Sequence, residues 1–585
     1  MVGNDYRILL VDGKFIAAAH RIPARIVGDG THTILELVEL ENRNPKRGRG
    51  HENFMTLLNI TPITETILAE KGYTPETVLA ADERLYLERT ANLSTGGMAF
   101  DVSTKVHPAN RFLFERTARI IGLDIAGLDV LAPTLETPIV KNGGVIIEVN
   151  AAPGLRMHLN PSEGKPHNVG APILDMLFPS GSKHDIPIVS VTGTNGKTTT
   201  VRLINHILKA GGRTVGMTTT DGIYVRDKVI LEGDTSGPRS ARLILQDPTV
   251  ECAVFETARG GLLRSGLGYG TADVGVCMNV SEDHLGIGFI ETVEELARLK
   301  SIVVETVRKG GTSVLNAEDK WCREMAARCT EKVVWFSLNP QHPAVTAHVE
   351  NGGTAVVYQN GYITLLDGDA VIPVARAYEI PITLEGKAYF NIQNAMAAVA
   401  ACYALKLKVE EIKAGLASFF PSPSQTPGRM NIIPMKGFDV MIDYAHNPRA
   451  YVHICDLIGK LDYKRRVLVL DAVGDRRDED IALLAQISAK VADRVILYED
   501  KDLRGRKEGE IAAILDRGFE AAGFPREKRC TILDEFEAIG EALKGARAGD
   551  LVVYMTGRVQ KAIQYLYDTK EAQEPLSTPP VEEGA

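Results

Sequence analysis

The chain has 585 residues, 44% of them hydrophobic, and a formal charge of −9 from 66 Lys and Arg against 75 Asp and Glu. That length suggests about three or four domains at roughly 150 residues each, and mild acidity without a long basic run argues against a nucleic-acid backbone partner. Seven scattered cysteines with no CxxC pair read as reduced thiols. With no signal peptide and no apolar run near the ~18 residues of a membrane span, the expectation is a cytoplasmic protein with no membrane partner.

In chain order, the apolar runs at residues 6–11 and 15–19 flank Asp12-Gly13 and predict a β-hairpin. Residues 145–150 read as a short buried strand that delivers Glu148 and Asn150 to one face, because alternate strand residues share a side. Residues 179–183 read as a linker. A strand at 186–191 leads into a helix whose Val201, Ile204 and Leu208, with Leu203 and Ile207, recur as one amphipathic face; Gly211-Gly212 closes it. Strands at 252–257 and 274–280 alternate with helical stretches, which predicts a mostly parallel α/β sheet. Turns at Asn351-Gly352-Gly353 and Asn360-Gly361 point to a small antiparallel insertion. Strands at 440–444, 467–470, 495–498 and 551–555 predict a second, smaller α/β domain, and residues 571–585 a disordered tail rich in Glu, Pro and Ser.

The strongest chemical signal is Gly193-Thr194-Asn195-Gly196-Lys197-Thr198-Thr199, between a strand and a helix. Phosphate needs backbone N–H groups at a helix N-terminus, a Lys charge and a hydroxyl on Mg²⁺, and glycines let the backbone come close. The strict P-loop pattern wants Gly at position 191, where this chain has Val191.

This loop resembles that of the Mur ligase and folylpolyglutamate synthase superfamily. Further matches follow in that family's order. Glu256, in Phe255-Glu256-Thr257-Ala258-Arg259-Gly260-Gly261, resembles a magnesium-binding glutamate. Asn279-Val280-Ser281-Glu282-Asp283-His284 resembles the Asn-x-x-x-Asp-His segment, with His284 a second metal contact, and Lys300 falls where many members carry a carbamylated lysine. Asn391 and Asn394 resemble the pair near the adenine, with Phe390 where the family often has His. Gly428-Arg429, Asp443-Tyr444-Ala445-His446-Asn447-Pro448 and Gly474-Asp475-Arg476-Arg477 resemble nucleotide and closure motifs of the last domain. The implied site uses Lys197, Glu256, His284, Lys300 and Arg429 in catalysis, Thr198, Glu256, His284 and Lys300 for Mg²⁺, and residues 193–199 with Asn391, Asn394, Asp443, His446 and Asn447 for ATP.

A narrower resemblance covers residues 3–565. Thr219-Thr220-Asp221-Gly222-Ile223-Tyr224, residues 241–248, Arg264-Ser265-Gly266-Leu267-Gly268 and Ser424-Gln425-Thr426-Pro427-Gly428-Arg429 are similar to the cyanophycin synthetase family. The resemblance implies a homo-oligomer and an amide ligase that uses ATP and Mg²⁺ to add L-arginine to the β-carboxylate of a poly-aspartate backbone through an acyl phosphate, with a cyanophycin primer as partner. Residues 1–180 then resemble the later part of an ATP-grasp domain, 181–425 the Mur central domain and 426–570 its Rossmann-like last domain, α/β throughout. Arg89, Asn92, Ser94 and Arg156 would meet substrate there, and Asp129, Glu148 and Asn150 a metal.

Family members carry further N-terminal residues that complete the ATP-grasp site. This chain starts inside what would be the lid, so aspartate addition is not expected from it, and an unpaired hairpin edge is. Two alternatives stand beside the arginine ligase: another Mur or folylpolyglutamate-type amino-acid ligase, and a non-catalytic polymer-binding partner of a split synthetase. Intact Lys197, Thr198, Glu256, His284 and Lys300 favour an enzyme. The acidic Glu499-Asp500-Lys501-Asp502 reads as either a solvated loop or a guanidinium site.

Overall fold

The computed structural model describes residues 3–50, 53–182, 185–283, 285–286 and 289–573. The chain forms two units, Met1–His184 and Asp185–Ala585.

In the first unit, the hairpin turn at Asp12 and Gly13 has φ of +53° and +63°, the left-handed pair that suits a two-residue connection. The hairpin lies inside an antiparallel sheet ordered Met98–Asp101, Lys14–Ile22, Asn4–Val11, Ile125–Ala132, Val145–Asn150. Both hairpin strands therefore have outer neighbours, and the expected unpaired edge is not found. Ile8, Leu10, Leu128 and Val130 pack against Phe114 and Ala118 of the helix Pro108–Ile121. The strand Val145–Asn150 is the sheet's edge rather than a buried strand: Ile147 is 64% exposed and Glu148 is exposed.

The second unit is built on an eleven-stranded sheet. Its middle, Val215–Thr218, Cys252–Glu256, Ile188–Thr192, Ala272–Cys277, Val307–Asn316, Lys332–Ser337, Thr354–Gln359, is parallel. Antiparallel strands flank it at both ends. The expected insertion is thus a meander (Thr354–Gln359, Tyr362–Asp367, Ala370–Arg376) that extends the same sheet. The helix Lys197–Ala210 is buried on nearly every side, not on one face. Val201, Leu203, Ile204, Ile207 and Leu208 share a core with Ile392 and Ala395 of Tyr389–Ala404 and with Ile412 and Leu416 of Val409–Ala417. Each of these Val, Leu and Ile side chains contributes about 1.5–3 kcal/mol by burial.

A six-stranded sheet follows, ordered Asn431–Pro434, Asp439–Asp443, Asp550–Met555, Arg465–Leu470, Arg494–Leu497, Arg529–Thr531, parallel except for its first pair. Its two outer strands, of four and three residues, are too short to show a period and were not expected. Glu571 to Gln573 end the last helix, Val559–Gln573, instead of opening a tail; residues 574–585 lie outside the described residues. Among the described residues no helix is long and apolar enough to cross a membrane.

Candidate active site

The central strand Ile188–Thr192 releases the chain at the carboxyl end of the parallel sheet, where open α/β folds bind ligands. Val191 is wholly buried within that strand, so the tight turn begins at Gly193, two residues later than in the strict pattern. Gly193 has φ +146° and a Cβ there would sit 2.9 Å from Met278 Cβ; Gly196 has φ +88° and a Cβ would sit 2.4 Å from Asn394 Oδ1. Asn279 holds the loop between them. The Thr194 N–H donates to its carbonyl at 2.8 Å, the Asn195 N–H to its Oδ1 at 3.0 Å, and its Nδ2 to the Asn195 carbonyl at 3.1 Å. Lys197 Nζ donates to the Thr194 carbonyl at 3.0 Å.

Beside the loop, Glu256 ends the neighbouring strand and is 2% exposed. Its Oε2 accepts from Thr198 Oγ1 at 2.9 Å and from the Thr220 N–H at 3.2 Å, while the buried Oε1 has no hydrogen-bond partner. Burial raises the Glu256 pKa; Lys197 and the Thr198 hydroxyl oppose it. An orphaned carboxylate oxygen next to the loop hydroxyl is the hard donor set that Mg²⁺ takes, so Glu256 and Thr198 fit this cation. Lys300, 3% exposed, donates to the Gly193 carbonyl at 2.7 Å. Burial, helped by the charge of Lys197, lowers its pKa to about 7. His284 lies outside the described residues.

These groups face a cavity of about 540 Å³ that Phe390, Asn391, Asn394, Arg429, Asp443 and His446 also line. Asn394 Nδ2 donates to Asn391 Oδ1 at 2.8 Å, and Asn391 Nδ2 to the Ile382 carbonyl at 2.8 Å. Phe390 packs against His453 with ring centroids 5.6 Å apart, an apolar surface where the family often has His. The Arg429 guanidinium lies over the Tyr444 ring, 4.7 Å from its centre. Asp443, its pKa raised by burial, accepts the Met430 and Ala445 N–H groups at 2.9 and 2.8 Å and so shapes the turns bearing Arg429 and His446. His446 Nδ1 donates to the Tyr444 carbonyl at 3.0 Å, and burial lowers its pKa, so the imidazole is neutral with Nε2 an acceptor. Asn195 and Asn447 exchange side-chain amide hydrogen bonds of 3.2 and 2.9 Å, joining the phosphate loop to the helix Pro448–Lys460 that Asn447 caps. Thr199 is buried behind the loop.

Asn279, Thr220 and Arg259 all lie in motifs of the sequence, but their places in the site depend on contacts that no local residue pattern carries. Glu499 is a structural cap, not a guanidinium site: its oxygens accept the Gly509 and Ala512 N–H groups at 2.7 and 2.9 Å.

In the first unit Asp129 stands opposite Glu148 on the neighbouring strand, and Asn150 stands opposite Gly127. Asp129 is held by Arg7 and by Arg21 at 3.1 Å, so guanidinium groups supply the positive charge a metal would bring. Glu148 is exposed on the edge strand, and Asn150 Nδ2 reaches only the Gly127 carbonyl at 3.4 Å. Among the described residues no group of three or more His, Cys, Asp or Glu is placed to hold a metal. Arg89 pairs with Glu70 at the surface, Asn92 Nδ2 donates to Thr90 Oγ1 at 3.4 Å, and Ser94 sits in the short turn Leu93–Thr95. Arg156 reaches the carbonyls of Gly50 and Asn53 at 3.4 Å.

Residues 191–402 match the Mur ligase middle domain and residues 428–558 the Mur ligase glutamate ligase domain. Cyanophycin synthetase of Synechocystis sp. is 47% identical over 566 residues, 96% of this chain and 64% of that protein. That of Trichormus variabilis is 46% identical over 565 residues, 97% of this chain and 63% of that protein. The chain thus spans a little under two thirds of the length of these relatives. A stretch of 181 residues is 35% identical to the glutathione biosynthesis bifunctional protein GshAB of Desulfotalea psychrophila, 31% of this chain and 23% of that protein. Residues 191–402 and 428–558 thus match two Mur ligase domains that adjoin in one unit, and the chain is similar to cyanophycin synthetases along nearly its whole length.

Proposed function

We propose that the second unit is an ATP-dependent amide ligase of cyanophycin synthesis, joining the amino group of L-arginine to the β-carboxylate of an aspartyl residue on a cyanophycin primer. The observation that carries this is the orphaned, buried Glu256 Oε1 beside Thr198 and Lys197, in the wall of a cavity of about 540 Å³. A β-carboxylate oxygen attacks the γ-phosphorus, ADP leaves, and the amine then attacks the acyl phosphate carbon, releasing phosphate and a proton. The N–H groups of the first turn of the helix Lys197–Ala210 and the Lys197 ammonium bind the phosphates, and Arg429 adds a second positive charge from the cavity wall. Glu256 and Thr198 would hold Mg²⁺, which when bound neutralises charge on the transferring phosphoryl group. Phe390 and His453, their rings tilted by 40°, offer aromatic faces against which an adenine can pack.

With its pKa at about 7, Lys300 presents about half of its amines neutral at pH 7. That form adds CO₂ to become a carbamate and releases a proton, giving the site a further carboxylate.

The test is ADP release from ATP, Mg²⁺ and an aspartyl primer, with each amino acid in turn. Turnover that requires arginine and vanishes in Lys197→Ala supports the assignment. Turnover with glutamate or another amino acid instead would move the protein to a different ligation.

A further inference from the structure

Three residues beyond Glu256, Arg259 opens the helix Arg259–Ser265 and lines the same cavity as Lys197 and Lys300. Close backbone packing fixes this segment: a Cβ at Gly261 would lie 3.0 Å from Gly237 Cα, and one at Gly268 only 2.3 Å from the Pro238 carbonyl oxygen. The Nε and Nη2 donors of Arg259 are shielded from solvent, and neither has a hydrogen-bond partner among the described residues. The acid whose charge reaches it is Asp283, and Asp283 is already paired with Arg476 at 3.3 Å. In the other direction, the Arg259 charge is felt at the Lys300 amine.

Buried donors without acceptors are destabilising, and native structures keep few of them without a reason. Nε and Nη2 form one edge of the guanidinium, the fork that takes both oxygens of a carboxylate. Arg259 is only part-buried overall and its side chain forms part of the cavity wall.

The ligase reading, on which this inference rests, leaves a question of choice. A chain-terminal aspartyl residue carries two carboxylates one methylene apart, and the phosphate loop with Glu256 and Thr198 has no means of telling them apart. We propose that Arg259 binds the α-carboxylate of the terminal aspartyl residue and thereby fixes the β-carboxylate as the one that is phosphorylated. The fork holds the group that does not react, and the methylene reach then sets the other at the phosphates.

The test uses two peptides ending in an unmodified aspartate, one a free acid and one a C-terminal α-amide. Their affinities are measured by calorimetry in the presence of Mg²⁺ and AMPPNP, for wild type, Arg259→Gln and Arg259→Lys. Wild type binds the free acid about 10–100-fold more tightly than the amide, the value of a charge-assisted pair. Arg259→Gln binds both as weakly as wild type binds the amide, so the two losses are not additive. Arg259→Lys, a charge without the fork, falls between, and AMPPNP affinity is unchanged in both folded variants. Equal binding of the two peptides by wild type overturns the proposal, as do additive losses or no peptide binding at all. AMPPNP weakening as much as the peptide overturns it too, since the guanidinium would then serve the phosphates. Peptide discrimination without arginine-dependent ADP release leaves Arg259 as assigned and refutes the ligase reading instead.

Discussion

Replacing Lys300 by Met tests the electrostatics of the site without any substrate. The amine is buried and its pKa falls from 10.5 to about 7, chiefly by burial and then by Lys197. The sign follows from proton counts. Between pH 7 and 10.5 the unfolded chain keeps the Lys300 proton and the folded chain has lost it, so stability rises with pH through that window and is lost again as pH falls to 7. Methionine has similar length and does not titrate. The stability gap between wild type and Lys300→Met therefore shifts in favour of wild type by roughly 2 kcal/mol between pH 7 and pH 9, at about 1.4 kcal/mol per pH unit once above the folded pKa. Urea titrations of both proteins in CO₂-free buffer at the two pH values measure it. A gap that does not change with pH would show that Lys300 titrates normally, and the carbamate argument would fall with it.

Three further outcomes follow from contacts in the second unit. Thr198→Ala removes the hydroxyl that Glu256 Oε2 accepts at 2.9 Å; ADP release falls about 10–100-fold, with the Mg²⁺ requirement raised, and an unchanged Mg²⁺ titration would contradict the cation assignment. Asn195→Ala and Asn447→Ala remove the two halves of one amide pair, so a double-mutant cycle on stability gives a coupling of about 1 kcal/mol, where additive effects would deny the pair. Gly415→Ala puts a methyl 2.7 Å from Ile207 Cγ1; the overpacked helix pair loses about 1–3 kcal/mol in urea denaturation, and a neutral result would mean that the Lys197 helix moves freely.

The phosphate loop was legible because its chemistry is local: strand, glycine turn, Lys and Thr are consecutive. Val191 broke the strict pattern, and only the buried strand register explains why the turn starts at Gly193. Glu256 was legible as an acid at a strand end, but not its one orphaned oxygen, which depends on Thr198 and Thr220 arriving from elsewhere. The Asn195–Asn447 pair spans 252 positions, beyond any local reading. The same limit applied in the first unit. The Asp12-Gly13 hairpin followed from its turn residues, whereas its central place in the sheet depends on Asn4–Val11 pairing with Ile125–Ala132. Glu499 illustrates the converse: an acid in an acidic stretch, consumed by the backbone at the start of the helix Glu510–Ala521.

The most direct test follows oxygen. A primer carrying ¹⁸O in its terminal aspartyl β-carboxylate is given ATP, Mg²⁺ and arginine, and the released phosphate is examined by mass spectrometry. Arginine-dependent transfer of one ¹⁸O into phosphate, absent in Lys197→Ala, is the predicted result, since phosphate leaves the acyl carbon with that oxygen. Arginine incorporation with unlabelled phosphate would contradict carboxylate activation at this site.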